Sequence, residues 1–205
     1  MIELFVSAFV TFLVVIDPPG CAPIFAALTG KASAAQRRAM ALRSVGIASA
    51  ILLFFGLLGA GLFNALGVSL SALRIAGGIL LFLIAIDMVF EKRTERRENR
   101  AEEVSASHVE DVSVFPMAIP MIAGPGSIAS IILLMARSEG LAQSLVVLGA
   151  LLLTLLLTLV ALLLAGPLMR LLGHRMEAML TRLLGVILAA LATQFVIDGI
   201  RHVFT

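Results

Sequence analysis

Tryptophan and tyrosine are absent from this chain, and cysteine occurs once, at Cys21. One thiol can neither close an intramolecular disulfide nor form the dithiol pair of a membrane electron carrier, which excludes redox exchange of that kind. Without Trp and Tyr there is no aromatic belt at the headgroup level, so lysine and arginine must anchor the chain at its interfaces. His108, His174 and His202 are too scattered to build a metal site, and neither a metal nor a cofactor is expected. Charge is scarce as well: 14% of the 205 residues are charged against 60% hydrophobic, with a mean hydropathy of +1.11. Soluble domains carry about a quarter charged residues, which rules out a water-soluble globule. The expectation is a polytopic membrane protein whose solvent is lipid.

The net charge of +2 would suggest nucleic acid in a soluble chain. Here the basic residues lie between apolar runs, where membrane orientation explains them, and no nucleic-acid partner is expected. The opening Met1–Val10 stretch has Glu3 and no Lys or Arg before its apolar run, unlike a removable signal peptide, so it reads as a retained span.

Apolar runs of about 20 residues cross a bilayer core. Six fit that length, at about 2–28, 42–64, 69–90, 112–136, 141–168 and 179–200. None alternates as barrel strands would, so the fold class is all-α with six transmembrane helices. Twelve basic residues fall in or beside the loops around Arg38, Arg97 and Arg175, against three on the other side, Arg74, Arg137 and Arg201. That asymmetry places the basic loops in the cytoplasm and both termini outside.

One domain, 1–205, divides at a charged segment. Residues 91–111 hold five basic and seven acidic residues and read as a mobile cytoplasmic linker between 1–90 and 112–205. Three spans per half make the halves antiparallel, so similarity between them would be an inverted repeat. A slide of 106 residues sets Pro19-Gly20 on Pro125-Gly126, and a slide of 108 sets Arg74-Ile75-Ala76-Gly77 on Arg182-Leu183-Leu184-Gly185.

The first and fourth spans are expected to be broken. Asp17-Pro18-Pro19-Gly20-Cys21-Ala22-Pro23 interrupts the first, and Pro116, Pro120 and Gly124-Pro125-Gly126 interrupt the fourth. Each proline strips the donor from the carbonyl four residues earlier, leaving Val14, Val15, Val112, Pro116 and Met121 without helical partners. In lipid such carbonyls must face protein or a wet cavity. Half-helices restarting after Asp17 and Gly124 would carry proline at their first position and aim free N–H groups into that cavity, suiting a carboxylate or other anion. A structural kink at each proline is the plainer alternative. The candidate substrate-binding residues are Asp17, Pro18, Pro19, Gly20 and Pro23 from the first span, with Pro116, Pro120, Gly124, Pro125, Gly126 and Ser127 from the fourth. Leucine at Gly126 is expected to fill the pocket at modest cost in stability.

The stretch Asp17 to Phe25 resembles the D-P-x-G-x-x-P-x-F motif of the MarC family of bacterial inner-membrane proteins. Pro116 to Ile128 resembles that family's P-x-A-x-P-x-x-A-G-P-G-x-I motif, and order and length agree along the whole chain. The family is named for multiple antibiotic resistance, a label that establishes no drug export. The resemblance implies a multi-pass protein of the bacterial inner (plasma) membrane. The family's fold is similar to that of LysE-type amino-acid exporters, implying export of a small, amino-acid-like metabolite by analogy.

An intramembrane carboxylate marks a solute, ion or proton site by default, and Asp17 is the one near the middle of a run. It could equally be the N-cap of a helix starting at Pro18, or cap and site together. Arg74 with Asp198 at the outer face, and Arg182 with Asp87 at the inner, form two candidate gating pairs, the alternative being that each side chain snorkels to its own interface. No second carboxylate faces Asp17 and no Ser–His pair is available, so an enzyme is not expected. A small-solute exporter is the leading reading and a non-transporting scaffold or regulatory protein the alternative. The partners expected are lipid and an unidentified small solute, with homo-oligomerisation left open.

Overall fold

The computed structural model describes the backbone of residues 1–106 and 111–204, and their side chains apart from 103–106, 169–175 and 177. His108 and the side chains of Arg170, His174 and Arg175 therefore lie outside the described residues. Among the described residues every regular element is helical and none is a strand. The elements are α1 (Ile2–Ile16), α2 (Pro18–Leu28), α3 (Ala34–Ala65), α4 (Leu70–Val89), α5 (Lys92–Ala106), an irregular segment Ser113–Ile122, α6 (Pro125–Ala136), α7 (Gly140–Leu163) and α8 (Ala165–Phe204).

Five helical stretches are long and apolar enough to cross a membrane, and the bent pair Ser113–Ile122 and Pro125–Ala136 makes a sixth if taken as one span. These coincide with the six runs expected. Ile2–Leu28 is the central one: 56% of its most apolar window is buried, against 28–39% for the other four single stretches. Phe12, Ile16 and Phe25 from it pack with Leu52, Leu81, Met117, Ile131 and Leu133 in the core. The outer faces of α3, α7 and α8 expose Phe54, Leu57, Leu156 and Val186, which suit lipid rather than water.

Side-chain caps start α3 and α4. Ser33 and Gln36 form a reciprocal capping box at α3, and Ser69 Oγ accepts the Ala72 N–H at α4. Both satisfy donors that a helix start leaves open. Asp111 takes the Ser113 N–H at 2.9 Å and the Arg43 guanidinium at 2.7 Å, tying the entrance of the fourth span to α3. The Ser113 hydroxyl, which also donates to Asp111, then the Ser113 N–H and Arg43, hold the Asp111 carboxyl below its ordinary value.

Glycine brings α4 and α8 together as the most extensive helix pair. A methyl on Gly78 would sit 2.8 Å from the Ala192 carbonyl oxygen and 3.0 Å from the Val196 nitrogen, and one on Gly199 would sit 3.0 Å from the Ser71 carbonyl oxygen. Only a residue without Cβ lets the backbones approach this closely.

Two expectations change. Residues 92–106, read as a mobile linker, form α5, which packs on α2 and α4. Composition argued against a core-forming segment, but an amphipathic helix needs only one face to dock. The fifth span ends at Leu163 rather than 168, because Gly166-Pro167 sits in the first turn of α8, where a missing donor is tolerated.

Candidate functional site

The two interrupted spans differ. In the first the interruption is one residue: Asp17 adopts φ 59, ψ 66, the left-handed region, between α1 and α2. The fourth bends by 52° between Ile122 and Pro125. Ahead of that bend Phe115 and Ile119 are extended, at φ −124, ψ 127 and φ −126, ψ 124. Each precedes a proline, whose ring excludes the α conformation from the residue before it.

Three groups freed in the first span find partners. Pro19 leaves the Val15 carbonyl without a helical donor, and Arg93 Nη2 from α5 donates to it at 2.6 Å. Gly20 N–H is diverted to Asp17 Oδ1 at 3.1 Å, and the Cys21 thiol donates to the Ile16 carbonyl at 3.4 Å. The other carboxylate oxygen of Asp17 pairs with Arg97 Nη1 at 2.9 Å, the two side chains being 1% and 11% exposed. Asp17 is thus a cap and also the anchor of α5. A methyl on Gly20 would collide with the Asp17 carboxylate.

The open N–H groups at this break are therefore used up. Asp17 takes Gly20 through its side chain and Cys21 through its carbonyl. Of the two half-helices that restart after a break, α6 alone keeps an uncapped start, since Gly124 offers no side chain and Gly126 and Ser127 lie in the first turn. The two anion-ready termini expected reduce to one.

A cavity of about 260 Å³ lies beside that start. Val15, Leu80 and Ile84 line one part, Pro120, Met121, Gly124, Pro125, Gly126 and Ser127 another, and Arg93, Arg96, Arg97 and Arg100 of α5 the rest. Of the residues expected to bind solute, Pro120, Gly124, Pro125, Gly126 and Ser127 face it, and Asp17 reaches it through Arg97. Pro18, Pro19, Gly20, Pro23 and Pro116 are not among its lining. Their contribution is to shape the backbone that Arg93 and Arg97 meet.

Gly126 is also a packing contact. Its ideal Cβ would lie 2.5 Å from Ile84 Cδ1 and 3.1 Å from Val15 Cγ1. Leucine there must displace the Ile84 and Val15 side chains as well as fill the cavity, which adds overpacking to its cost.

The four arginines escaped the sequence reading. Their signal was present in the spacing of Arg93, Arg97 and Arg100, which are four and seven residues apart and share one helical face. Withdrawal from water, then the charge of Arg97, brings Arg93 down to about 10, leaving it charged at neutral pH. Arg100 lies 6.0 Å from the centre of the Phe115 ring.

The expected gating pairs are exchanged for others. Asp198 bonds Arg137 at 2.8 Å, and Arg137 also covers the Phe195 ring at 5.3 Å. Arg74 is buried near them with no hydrogen-bond partner for Nε. At the other face Asp87 pairs with Arg96 and Arg182 with Glu91. Both changes have one cause, in that Arg137 and the α5 arginines come from segments outside the two helices considered.

Comparison with known proteins agrees with this architecture. Residues 2–204 match the family described as MarC family integral membrane protein. The chain is 36% identical to a UPF0056 membrane protein of Methanocaldococcus jannaschii over 98% of its own length and 97% of the relative's. It is 36% identical to one of Archaeoglobus fulgidus over 98% and 94%, and 32% identical to the UPF0056 membrane protein YhcE of Escherichia coli over 96% and 91%. No solved structure matches the chain. With a multi-pass helical fold and a match over nearly its whole length, the chain belongs to the MarC family of integral membrane proteins.

Proposed function

We propose that this protein is a non-enzymatic exporter of a small, amino-acid-like solute in a bacterial inner (plasma) membrane. The observation that carries the reading is the cavity of about 260 Å³ that Val15, two residues before Asp17, shares with the Pro120–Ser127 turn. Irregular backbone at membrane depth is tolerated where it lines a cavity or is buried in protein, and paired breaks in two halves are the usual mark of a transport site. Residues 1–90 and 112–205 form the two halves of an inverted repeat, and rocking one against the other exposes the site alternately. The Arg137–Asp198 pair, with Arg74 beside it, closes the outer end. Arg96–Asp87 and Arg182–Glu91 close the inner end.

A scaffold or regulatory role is the second reading. It is favoured by Asp17, which is 1% exposed and held by Gly20 and Arg97 instead of lying open.

Export of radiolabelled amino acids from loaded proteoliposomes separates the two. Exporter action predicts faster loss of at least one labelled solute than from empty liposomes, slowed tenfold or more by Ser127→Phe, which fills the cavity, and restored by Ser127→Thr. Equal loss from both kinds of vesicle leaves the scaffold reading in place.

Orientation is checked in cells. In a Cys21→Ser background, Glu3→Cys should react with an impermeant maleimide from outside and Lys31→Cys only after permeabilisation. The opposite pattern would overturn both the placement of the termini and the assignment of inner and outer gates.

A further inference from the structure

The solute class follows from the charge around the cavity, granted that the cavity is the transport site. Four guanidinium groups line it and, among the described residues, no carboxylate does. Asp17 neutralises Arg97 and Asp87 neutralises Arg96, both from outside the lining. Arg93 and Arg100 have no acidic partner among the described residues. Arg93 spends two of its five N–H donors on the Val15 carbonyl and the Met88 sulfur, neither of which carries charge, and keeps the others. Two cations without a direct ion-pair partner among the described residues thus face one small, partly enclosed space beside apolar side chains, where attraction for a counter-charge exceeds that in water. The uncapped N–H groups of Gly126 and Ser127 add partial positive charge from the same side.

We infer that the cavity binds a small oxyanion, a carboxylate or phosphate on a short apolar body, held in the fork of Arg100 and Arg93 against the start of α6. Guanidinium forks match such oxygens two at a time. At ~30 Å³ per water, the space corresponds to about nine water molecules, the scale of a compact metabolite. The same oxyanion chemistry is carried by a soluble solute and by an anionic lipid headgroup.

Thermal unfolding of the full chain in phosphatidylcholine nanodiscs tests this with sodium phosphate, sodium succinate and leucinamide, sodium chloride being used to match ionic strength. The expected result is a saturable rise in Tm with phosphate or succinate. Half-saturation should shift at least tenfold in Arg100→Gln and much less in Arg100→Lys. A rise on replacing phosphatidylcholine by phosphatidylglycerol, lost in Arg100→Gln and leaving no further effect of soluble anions, would support the oxyanion site with a lipid headgroup as its source, and would remove the exporter reading. Saturation by leucinamide alone, sensitive to Ser127→Phe, would overturn the oxyanion assignment while leaving the transport site standing. No saturable response to either anion in either disc would overturn the proposal.

Discussion

Replacing Asp17 by alanine should cost this protein about 3–5 kcal/mol, the range for removing one partner of a buried ion pair. The Arg97 guanidinium would be left in a site where only 11% of the side chain reaches solvent. Two smaller losses act in the same direction: the Gly20 N–H loses its acceptor, at about 1 kcal/mol for a helix cap, and alanine must adopt the left-handed conformation now held at φ 59, at about 1–2 kcal/mol. Asparagine tolerates that conformation, keeps the cap and still offers an oxygen to Arg97. It leaves the charge of Arg97 uncompensated, so Asp17→Asn should fall between the parent and Asp17→Ala, nearer the latter if charge outweighs the cap. Thermal unfolding in one detergent gives the ranking, and trypsin cleavage at the arginines of α5 reads the release of that helix. Equal stability of Asp17→Ala and the parent chain would show that neither cap nor ion pair contributes.

An effect of similar size is expected at the α4–α8 contact. Overpacking a filled interior costs about 1–3 kcal/mol when side chains can yield, and more when they cannot. At Gly78 the obstacle is backbone, the Ala192 carbonyl oxygen and the Val196 nitrogen, so a side chain can be accommodated only by parting the helices. Gly78→Leu should fall at or beyond ~3 kcal/mol, with Gly78→Ala between it and the parent. Gly149 has nothing within 4 Å of its ideal Cβ, so Gly149→Leu should stay within about 0.5 kcal/mol of the parent. Melting curves of the purified variants decide the matter, and a Gly78→Leu protein as stable as Gly149→Leu would refute the close contact.

What was legible in the sequence was the part governed by local covalent chemistry and by hydropathy. Apolar runs placed the spans to within a few residues except where the second begins, at Ala34 instead of 42, and where the fifth ends, because Gly166-Pro167 looks like a break but fits the start of a helix. Pro18 and Pro125 at first helical positions were foreseeable, since proline lacks the donor that such positions leave unused. The orphaned Val15 carbonyl was foreseeable for the same reason, whereas the group that satisfies it was not. Arg93 lies 78 residues further along, in a segment whose composition suggested solvent. The ion pairs escaped for a related cause: periodicity tells which residues share a face of one helix and says little about which helix lies opposite. Arg137, on the turn after the fourth span, reached Asp198 by a packing that helix ends alone did not reveal.

The bonds from α5 to the first span also impose an order on biosynthesis. Arg97 follows Asp17 by 80 residues and Arg93 follows Val15 by 78. At roughly 5–20 residues per second a ribosome needs about 4–16 s to supply those partners. Throughout that interval the nascent first span holds a carboxylate met by the Gly20 N–H but by no counter-charge, and a carbonyl still waiting for its donor. A charge at the centre of a lone helix raises the cost of partition into lipid by about 2.5–3.5 kcal/mol. The first span to emerge is thus the worst equipped to settle by itself, and its residence in the bilayer becomes secure only once later parts of the chain have folded back upon it.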